Sequence, residues 1–243
     1  MYYPNPELRA RESHLRLEVW RRLLMQTKAS ETDSGNTTKC ELIGSACVAA
    51  MAEIESFMRD LVESIVHTIN CSNYAISSLR SELHALHANT TFDQIQKMEK
   101  HNKSYWDSRI KVTQFHSSKE TARLPEPSTH CAQPPLKGNT IQLADISEVA
   151  NIFCFPNRPI QSLLTARQVT ALIKLASHRN SFAHAVDPAT NLFPNPNREL
   201  DVIMQYLRDV ADIIDVLASE WATTVNDRTF LVSTTASNAT TRS

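Results

Sequence analysis

The chain has 243 residues, 42% of them hydrophobic, and a formal net charge of −1. This length suits one large domain or two small ones, and the apolar content suits a globular core. Only three residues are glycine, against roughly 7% in average proteins. So few glycines disfavour β-hairpins, and the sequence contains no glycine-rich phosphate loop. A net charge near zero means that the protein as a whole does not attract nucleic acid or membranes electrostatically.

The five cysteines (40, 47, 71, 131 and 154) include no CxxC pair. An odd number without such spacing suits reduced thiols and predicts neither a disulfide framework nor a zinc site. The first residues lack the apolar core of a signal peptide, and no window approaches 18 uninterrupted apolar residues. We expect a cytoplasmic protein with no membrane span.

Apolar spacing in the first half predicts a series of helices. A charged helix over 7–29 is followed by a polar loop over 30–39 that contains Gly35-Asn36. The clearest helical stripe covers 40–69, where apolar residues recur at i, i+3/i+4 and i+7. Shorter helices are expected over 74–87 and 91–115, the latter beginning with Thr91 as N-cap and Gln94 three residues later.

The second half begins with a segment rich in proline, serine and threonine. Residues 117–140 hold four prolines and a glycine, which predicts a long loop or mobile insertion. A short helix is expected over 141–153. Thr165 and Gln168 form a capping-box pattern that begins a helix ending near His184, where prolines follow. The last helix, 197–225, is strongly amphipathic, and the tail from 233 has no apolar pattern.

These elements predict an all-α fold, an antiparallel helical bundle. We divide the chain into an N-terminal helix and loop (1–39), the bundle with its loop insertion at 117–140 (40–227), and a disordered tail (228–243). Charge is uneven along it: segments 1–30 and 97–123 carry net charges of +3 and +4, and 198–220 carries −4. Basic segments could line a polyanion site, although solvated helix faces are the commoner explanation.

One short segment carries the functional signal. Five arginines precede a histidine by four to six intervening residues: Arg9–His14, Arg80–His87, Arg109–His116, Arg123–His130 and Arg179–His184. Because short patterns recur by chance, the pattern alone is weak. Only the last match, Arg179-Asn180-Ser181-Phe182-Ala183-His184, has Asn after Arg, a small residue before His, and a place at the end of the penultimate long helix.

This segment and the helix order resemble the HEPN superfamily, and within it the RiboL-PSP group. The resemblance covers about 40–225 and implies a metal-independent endoribonuclease that needs no cofactor. It implies Arg179 and His184 as catalytic residues, Asn180, Ser181 and His178 as substrate-binding residues, and Glu55 as an acid that buttresses Arg179. It further implies a homodimer with a composite site, and a role as a toxin or anti-phage effector restrained by an antitoxin or regulatory partner.

The chemistry of RNA cleavage accounts for these residue types. A base must take the proton of the ribose 2′-OH and an acid must protonate the 5′-oxygen, and histidine can do either near neutral pH. A planar guanidinium can stabilise the charge that gathers on phosphate through two parallel hydrogen bonds.

Other interpretations of the same residues remain open. An arginine and a histidine at a helix C-terminus can simply cap carbonyls, and the bundle can be a non-catalytic module that dimerises and binds RNA, nucleotide or protein. His84 and His87 share a helix face but lack further ligands at metal spacing. Trp20, Trp106 and Trp221 are expected in the core or an interface rather than as base-stacking platforms.

Overall fold

The computed structural model describes residues 5–29, 35–99, 103–126, 136, 140–184 and 188–232. Within these ranges every regular element is helical, which confirms the all-α prediction. The α-helices are α1 (Pro6–Lys28), α2 (Gly35–Cys71), α3 (Ser81–His87), α4 (Asn89–Lys97), α5 (Lys103–Thr113), α6 (Leu143–Ile152), α7 (Ala166–Ala183), α8 (Ala189–Leu192) and α9 (Pro196–Asp227). None of the helices in this part of the chain has the length and apolarity needed to cross a bilayer.

The long helix α2 forms the centre of the bundle and packs against α1, α7 and α9. Its apolar residues recur on the helical period around most of its circumference, so it is buried from Ile43 to Ile69. Phe57 of α2 meets the fully buried Trp221 of α9 edge to face, with ring centroids 5.7 Å apart. These large apolar side chains make the core continuous between the two longest helices.

The four long helices run in two antiparallel directions. Lys39 lies beside Asn197 and Phe57 beside Trp221, so α2 and α9 point the same way. Arg167 pairs with Asp209, while His178 packs on Phe193, so α7 runs opposite to α9. Helix α1 also runs opposite to α9, as shown by a pair of polar contacts, His14 with Asp215 and Lys28 with Asp201.

Helix α2 begins earlier than the sequence predicts. Residues 35–39 are helical rather than part of a loop. The reason is tertiary: Lys39 and Cys40 are buried, the Lys39 ammonium donates to Asn197 Oδ1 at 3.1 Å, and the Cys40 thiol donates to the Phe193 carbonyl at 3.4 Å. Such packing stabilises a helical turn that local composition does not favour.

The middle of the chain also differs from the predicted boundaries. Residues 74–87 form a 3-10 turn (Ile76–Ser78) followed by α3. Thr91 is inside α4 rather than its N-cap, because α4 starts at Asn89 and Ala88 both ends α3 and precedes α4. The two helices are thus nearly continuous and leave no place for a separate cap.

Two segments without regular structure are anchored on the C-terminal end of α2. Asn70 exchanges two side-chain hydrogen bonds with the backbone of Leu124, and Ala75 forms a β-bridge with Thr121. Half of the predicted loop insertion, 127–135 and 137–139, lies outside the described residues. Residues 228–232, which the sequence assigned to a disordered tail, are packed: Phe230 is fully buried and Leu231 pairs with Leu79. Residues 233–243 lie outside the described part.

Candidate functional site

Helix α7 places the Arg179–His184 segment at one end of the bundle. Its N-terminus is closed by the predicted capping box, in which Gln168 N donates to Thr165 Oγ1 and Thr165 N donates to Gln168 Oε1. The helix continues to Ala183, and His184 is the C-cap residue, whose backbone N–H donates to the Asn180 carbonyl at 3.1 Å. The segment therefore forms the last turn of α7 and its cap.

A close helix contact holds this turn against α2. Phe182 lies directly over Gly44, and a Cβ on Gly44 would be 2.2 Å from Phe182 Cδ2 and 2.6 Å from Phe182 Cγ. Only a residue without a side chain permits this approach. The ring of Phe182 thus fixes the axial position and the rotation of α7 relative to α2 where the Arg179–His184 segment lies.

The polar side chains of the turn are joined by hydrogen bonds. Asn180 Oδ1 accepts from Arg179 Nη1 at 3.2 Å and from the Thr140 hydroxyl at 2.9 Å. Asn180 and His184 are exposed, Arg179 and Ser181 are half-buried, and Thr140 is buried. The structure therefore brings Arg179 and Asn180 together and presents them with His184 at the same accessible helix end.

His178 directly precedes Arg179 and faces the connection between α8 and α9. Its ring packs against the fully buried Phe193 with centroids 5.3 Å apart. Burial lowers the pKa of His178, and Lys174 acts in the same direction while Glu199 opposes it. His178 is thus held mainly neutral against the α8–α9 connection, with part of its surface still accessible.

No hydrogen bond or ion pair joins Glu55 to Arg179 among the described residues. Because α7 runs antiparallel to α2 and Phe182 lies over Gly44, Arg179 is about eight positions from Glu55, roughly 12 Å along the helix axis. The Oε1 atom of Glu55 is buried without a hydrogen-bond partner among the described residues. The structure therefore does not bring Glu55 to the guanidinium that the resemblance assigned to it.

Comparison with known protein families decides the identity of the fold. The model of the RiboL-PSP-HEPN family matches residues 18–220, which include α2, α7 and the whole Arg179–His184 segment. The chain belongs to the RiboL-PSP-HEPN family. Searches of curated proteins and of solved structures each returned no significant match. The predicted resemblance to a HEPN-type domain is confirmed.

Within this RiboL-PSP-HEPN chain, the structure distinguishes the Arg179–His184 pair from the other arginine–histidine pairs of the same spacing. Arg9 is fully buried, with its guanidinium donating to Glu53 at 2.7 Å and to Asp60 at 2.5 Å. The Arg109 guanidinium donates to the Tyr105 hydroxyl at 2.7 Å. His130 lies outside the described residues, so that match has no described geometry.

The histidine pair of α3 is engaged with backbone. His84 Nε2 lies 2.8 Å from the Ile76 carbonyl oxygen, and His87 Nδ1 lies 2.8 Å from that of Arg123. Among the described residues no group of three or more His, Cys, Asp or Glu side chains is placed to hold a metal ion. These two histidines thus serve to join α3 to its neighbours.

Sequence reasoning missed two residues of the RiboL-PSP-HEPN site. Gly44 carried a usable signal, because an isolated glycine within a strong helical pattern indicates close packing. Thr140 carried none: it is 40 positions before Asn180 and is the last residue of the segment predicted as a loop. Only the folded chain shows that its hydroxyl reaches the Asn180 side chain.

Proposed function

We propose that the protein is a metal-independent endoribonuclease whose cleaving groups are Arg179 and His184. The observation that carries the proposal is the accessible end of α7, where Arg179, Asn180 and His184 are presented together inside the region that matches a HEPN family. HEPN-type domains are often ribonucleases or nucleotide-binding modules. The contact of Phe182 with Gly44 and the Thr140 hydrogen bond keep this turn in one position, as a catalytic site requires.

The proposed reaction is transfer of the scissile phosphate to the neighbouring 2′-oxygen. The 2′-oxygen attacks phosphorus and loses its proton to a base, while the bond from phosphorus to the 5′-oxygen breaks and an acid protonates that oxygen. The products are a 2′,3′-cyclic phosphate and a 5′-hydroxyl. His184 supplies the proton transfer, and the Arg179 guanidinium binds the nonbridging oxygens as charge gathers on them.

Asn180, Ser181 and His178 have supporting roles in this proposal. Asn180 accepts a hydrogen bond from Arg179 through Oδ1, so it orients the guanidinium. Ser181 is half-buried beside it and has a hydroxyl that can donate to phosphate. His178, held mainly neutral by burial, offers a ring edge to a nucleotide that lies on the α7 surface.

A second protomer completes the site in this proposal. The Arg179–His184 segment of one chain supplies one histidine, whereas the reaction uses both a base and an acid. HEPN proteins commonly dimerise and interact with RNA. An isologous dimer that joins the two α7 ends would bring both histidines and both arginines to one phosphate.

The biological role that fits such a nuclease is that of a toxin or anti-phage effector in the cytoplasm. An unrestrained ribonuclease damages its own host, so an antitoxin or regulatory protein would have to cover the α7 end. Expression of wild-type protein should then arrest growth of a bacterial host, whereas His184→Ala should not. Equal growth with both proteins would contradict the toxin role but would not bear on the proposed cleavage reaction.

The experiment for the proposed activity is a cleavage assay on structured RNA in EDTA. Wild type should cut, and His184→Ala and Arg179→Ala should each lose at least a hundredfold in rate, in keeping with general acid–base catalysis by His184 and electrostatic stabilisation by Arg179. His116→Ala is the matched control, because His116 is an exposed histidine of another arginine–histidine match. If His184→Ala cuts as fast as wild type, or if no protein cuts, the non-catalytic binding module becomes the better account.

A further inference from the structure

Helix α5 carries an aromatic and cationic cluster that the nuclease reaction does not use. Trp106 is 56% exposed, although tryptophan is rarely left so open on a protein surface. The sequence predicted Trp106 in the core or an interface, and in the described chain it faces outward. Ile110, one turn further along α5, is also 52% exposed, and neighbouring exposed apolar side chains of this kind mark a binding surface.

The indole of Trp106 is held in place by two neighbours. Tyr105 is almost buried and meets it edge to face, with centroids 5.5 Å apart and an interplanar angle of 90°. The Arg109 guanidinium lies 5.4 Å from the Tyr105 ring centre and 5.5 Å from that of Trp106, and it donates to the Tyr105 hydroxyl at 2.7 Å. The exposed ring is thus pre-positioned, and binding on it would cost little side-chain entropy.

The charge around this ring is positive. Lys103, Trp106, Arg109 and Ile110 are all exposed and lie three or four positions apart, so they share one helix face. The α5 segment carries Lys103, Arg109 and Lys111 against Asp107, and Lys111 pairs with Glu120 of the chain that follows. A cationic face with an open aromatic ring is the combination that binds single-stranded nucleic acid: the ring stacks on a base, and the cations bind the phosphates beside it.

We propose that the α5 face formed by Lys103, Trp106 and Arg109 is a stacking platform for single-stranded RNA. This inference rests on the proposed function, since it assigns an additional contact to the same RNA substrate. Trp106 supplies the stacking surface for one base, and Arg109 both fixes the indole and attracts phosphate.

The platform lies at the other end of the bundle from the cleaving turn. The chain that follows α5 is tied to the C-terminal end of α2 through Asn70 and Leu124, whereas Phe182 contacts α2 at Gly44. The 26 residues between Gly44 and Asn70 span roughly 40 Å of helix. A base stacked on Trp106 should therefore strengthen substrate binding without contacting the cleaving groups. Removal of the Trp106 ring should raise KM and leave kcat unchanged.

The test measures binding of two non-cleavable strands to the full chain. A fluorescein-labelled 2′-O-methyl oligouridylate of 20 nucleotides covers roughly 70 Å even at the 3.4 Å spacing of stacked nucleotides. An abasic strand of equal length carries the same phosphates without bases. Trp106→Ala should weaken binding of the uridylate at least fivefold, as expected for one stacked base, and should leave binding of the abasic strand unchanged.

Two further variants make the assignment specific. Trp106→Phe, which retains an aromatic face, should bind within about twofold of wild type and lose most of the tryptophan quenching by uridylate, because Trp221 is buried and Trp20 is partly covered. Leu15→Ala is the matched control, since Leu15 is 70% exposed on α1 and its replacement should change the affinity for neither strand.

Several outcomes would overturn the platform. The first is that Trp106→Ala and Leu15→Ala bind the uridylate equally well, and the second is that Trp106→Ala weakens binding of both strands equally. The third is that wild type does not bind the uridylate. The fourth is a change of oligomeric state in Trp106→Ala, which would make this face a protein interface. Failure of the nuclease proposal is a different result, because it appears as cleavage that does not depend on His184.

Discussion

At the scale of single residues, the contact between Gly44 and Phe182 decides where the cleaving turn lies. A glycine inside a helix is unfavourable by roughly 0.5–1 kcal/mol relative to alanine, so its place inside α2, away from either terminus, calls for a compensating contact. The Phe182 ring supplies it by occupying the space of the missing side chain. The position of Arg179, Asn180 and His184 thus depends on a residue with no functional group.

Gly44→Ala should therefore destabilise the protein and impair cleavage together. Because Phe182 Cγ would itself lie 2.6 Å from the new Cβ, rotation of the ring alone cannot relieve the overlap. We expect a loss of about 1–3 kcal/mol in the free energy of unfolding and at least a tenfold loss of cleavage rate. Urea denaturation and the RNA assay measure the two effects.

The double variant Gly44→Ala with Phe182→Leu is the control for this contact. It should recover part of the stability lost in Gly44→Ala, since the smaller side chain makes room for the methyl group. If Gly44→Ala alone were about 1 kcal/mol more stable than wild type, as helix propensity by itself predicts, the close approach would be contradicted.

Thr140 acts on the same turn through one hydrogen bond. Thr140→Val keeps the shape of the side chain and removes the donor to Asn180 Oδ1. A hydrogen bond contributes about 1 kcal/mol net to stability, so we expect the free energy of unfolding to fall by about that amount. Because Asn180 loses a contact that orients it, we also expect kcat to fall about fivefold. Thr170→Val is the matched control, because the Thr170 hydroxyl donates only to the Ala166 carbonyl of its own helix. Equal kcat in both variants would mean that the Thr140 hydroxyl does not contribute to the catalytic site.

At the scale of elements, α1 is tied to α2 by a buried ionic cluster. The Arg9 guanidinium donates to Glu53, Asp60, Ser13 and Ser56. Burial alone would raise the pKa of Glu53, but hydrogen bonds from Arg9 and Ser13 outweigh it and lower that pKa. Because a buried carboxylate without its partner is costly, the N-terminal helix is coupled to the core of the bundle.

Removing Arg9 should strongly destabilise the protein. Arg9→Leu would remove the buried cation that Glu53 and Asp60 share and leave Glu53 with the exposed Arg16 as its cationic partner. We expect a loss of about 3–5 kcal/mol in the free energy of unfolding, measured with urea. Arg22→Ala is the control, because Arg22 is exposed and pairs with Glu18 at the surface; its effect should be small. Similar effects from the two substitutions would mean that α1 is only loosely attached.

Glu53 should also make stability depend on pH. Since its folded pKa is lowered below the ordinary 4.5, the unfolded chain binds the proton more readily. The stabilisation is present above pH 4.5 and is lost as pH falls through the folded pKa. Glu53→Gln should therefore show a shallower loss of stability than wild type between pH 5 and pH 3 in urea titrations. An identical slope in both proteins would contradict this role for Glu53.

At the scale of the whole molecule, the sequence predicts the helices better than their contacts. The capping box at Thr165, the amphipathic helix 197–225 and the place of Arg179–His184 follow from local patterns, which depend on neighbouring residues. Helical residues 35–39 could not be predicted, because Lys39 and Cys40 are stabilised by partners more than 150 positions away. The same holds for Thr140, and for Glu55, whose distance from Arg179 depends on how α2 and α7 align.

A composite site predicts that activity follows dimerisation. Sedimentation equilibrium should show twice the mass of one chain, and the cleavage rate per chain should fall on dilution below the dimer dissociation constant. Arg109→Ala, which changes an exposed cation away from the α7 end, should leave the mass unchanged. A chain that is monomeric and fully active at every concentration would contradict the composite site.

The most direct test of the central claim is the chemistry of the cut ends. Fragments made by wild type in EDTA should carry 2′,3′-cyclic phosphate and 5′-hydroxyl groups by mass spectrometry, and a substrate with a single 2′-deoxy nucleotide should resist cutting at that position. His184→Ala and Arg179→Ala should produce no such fragments. Ends with 3′-hydroxyl and 5′-phosphate, or cyclic ends that persist without His184, would contradict cleavage by the end of α7.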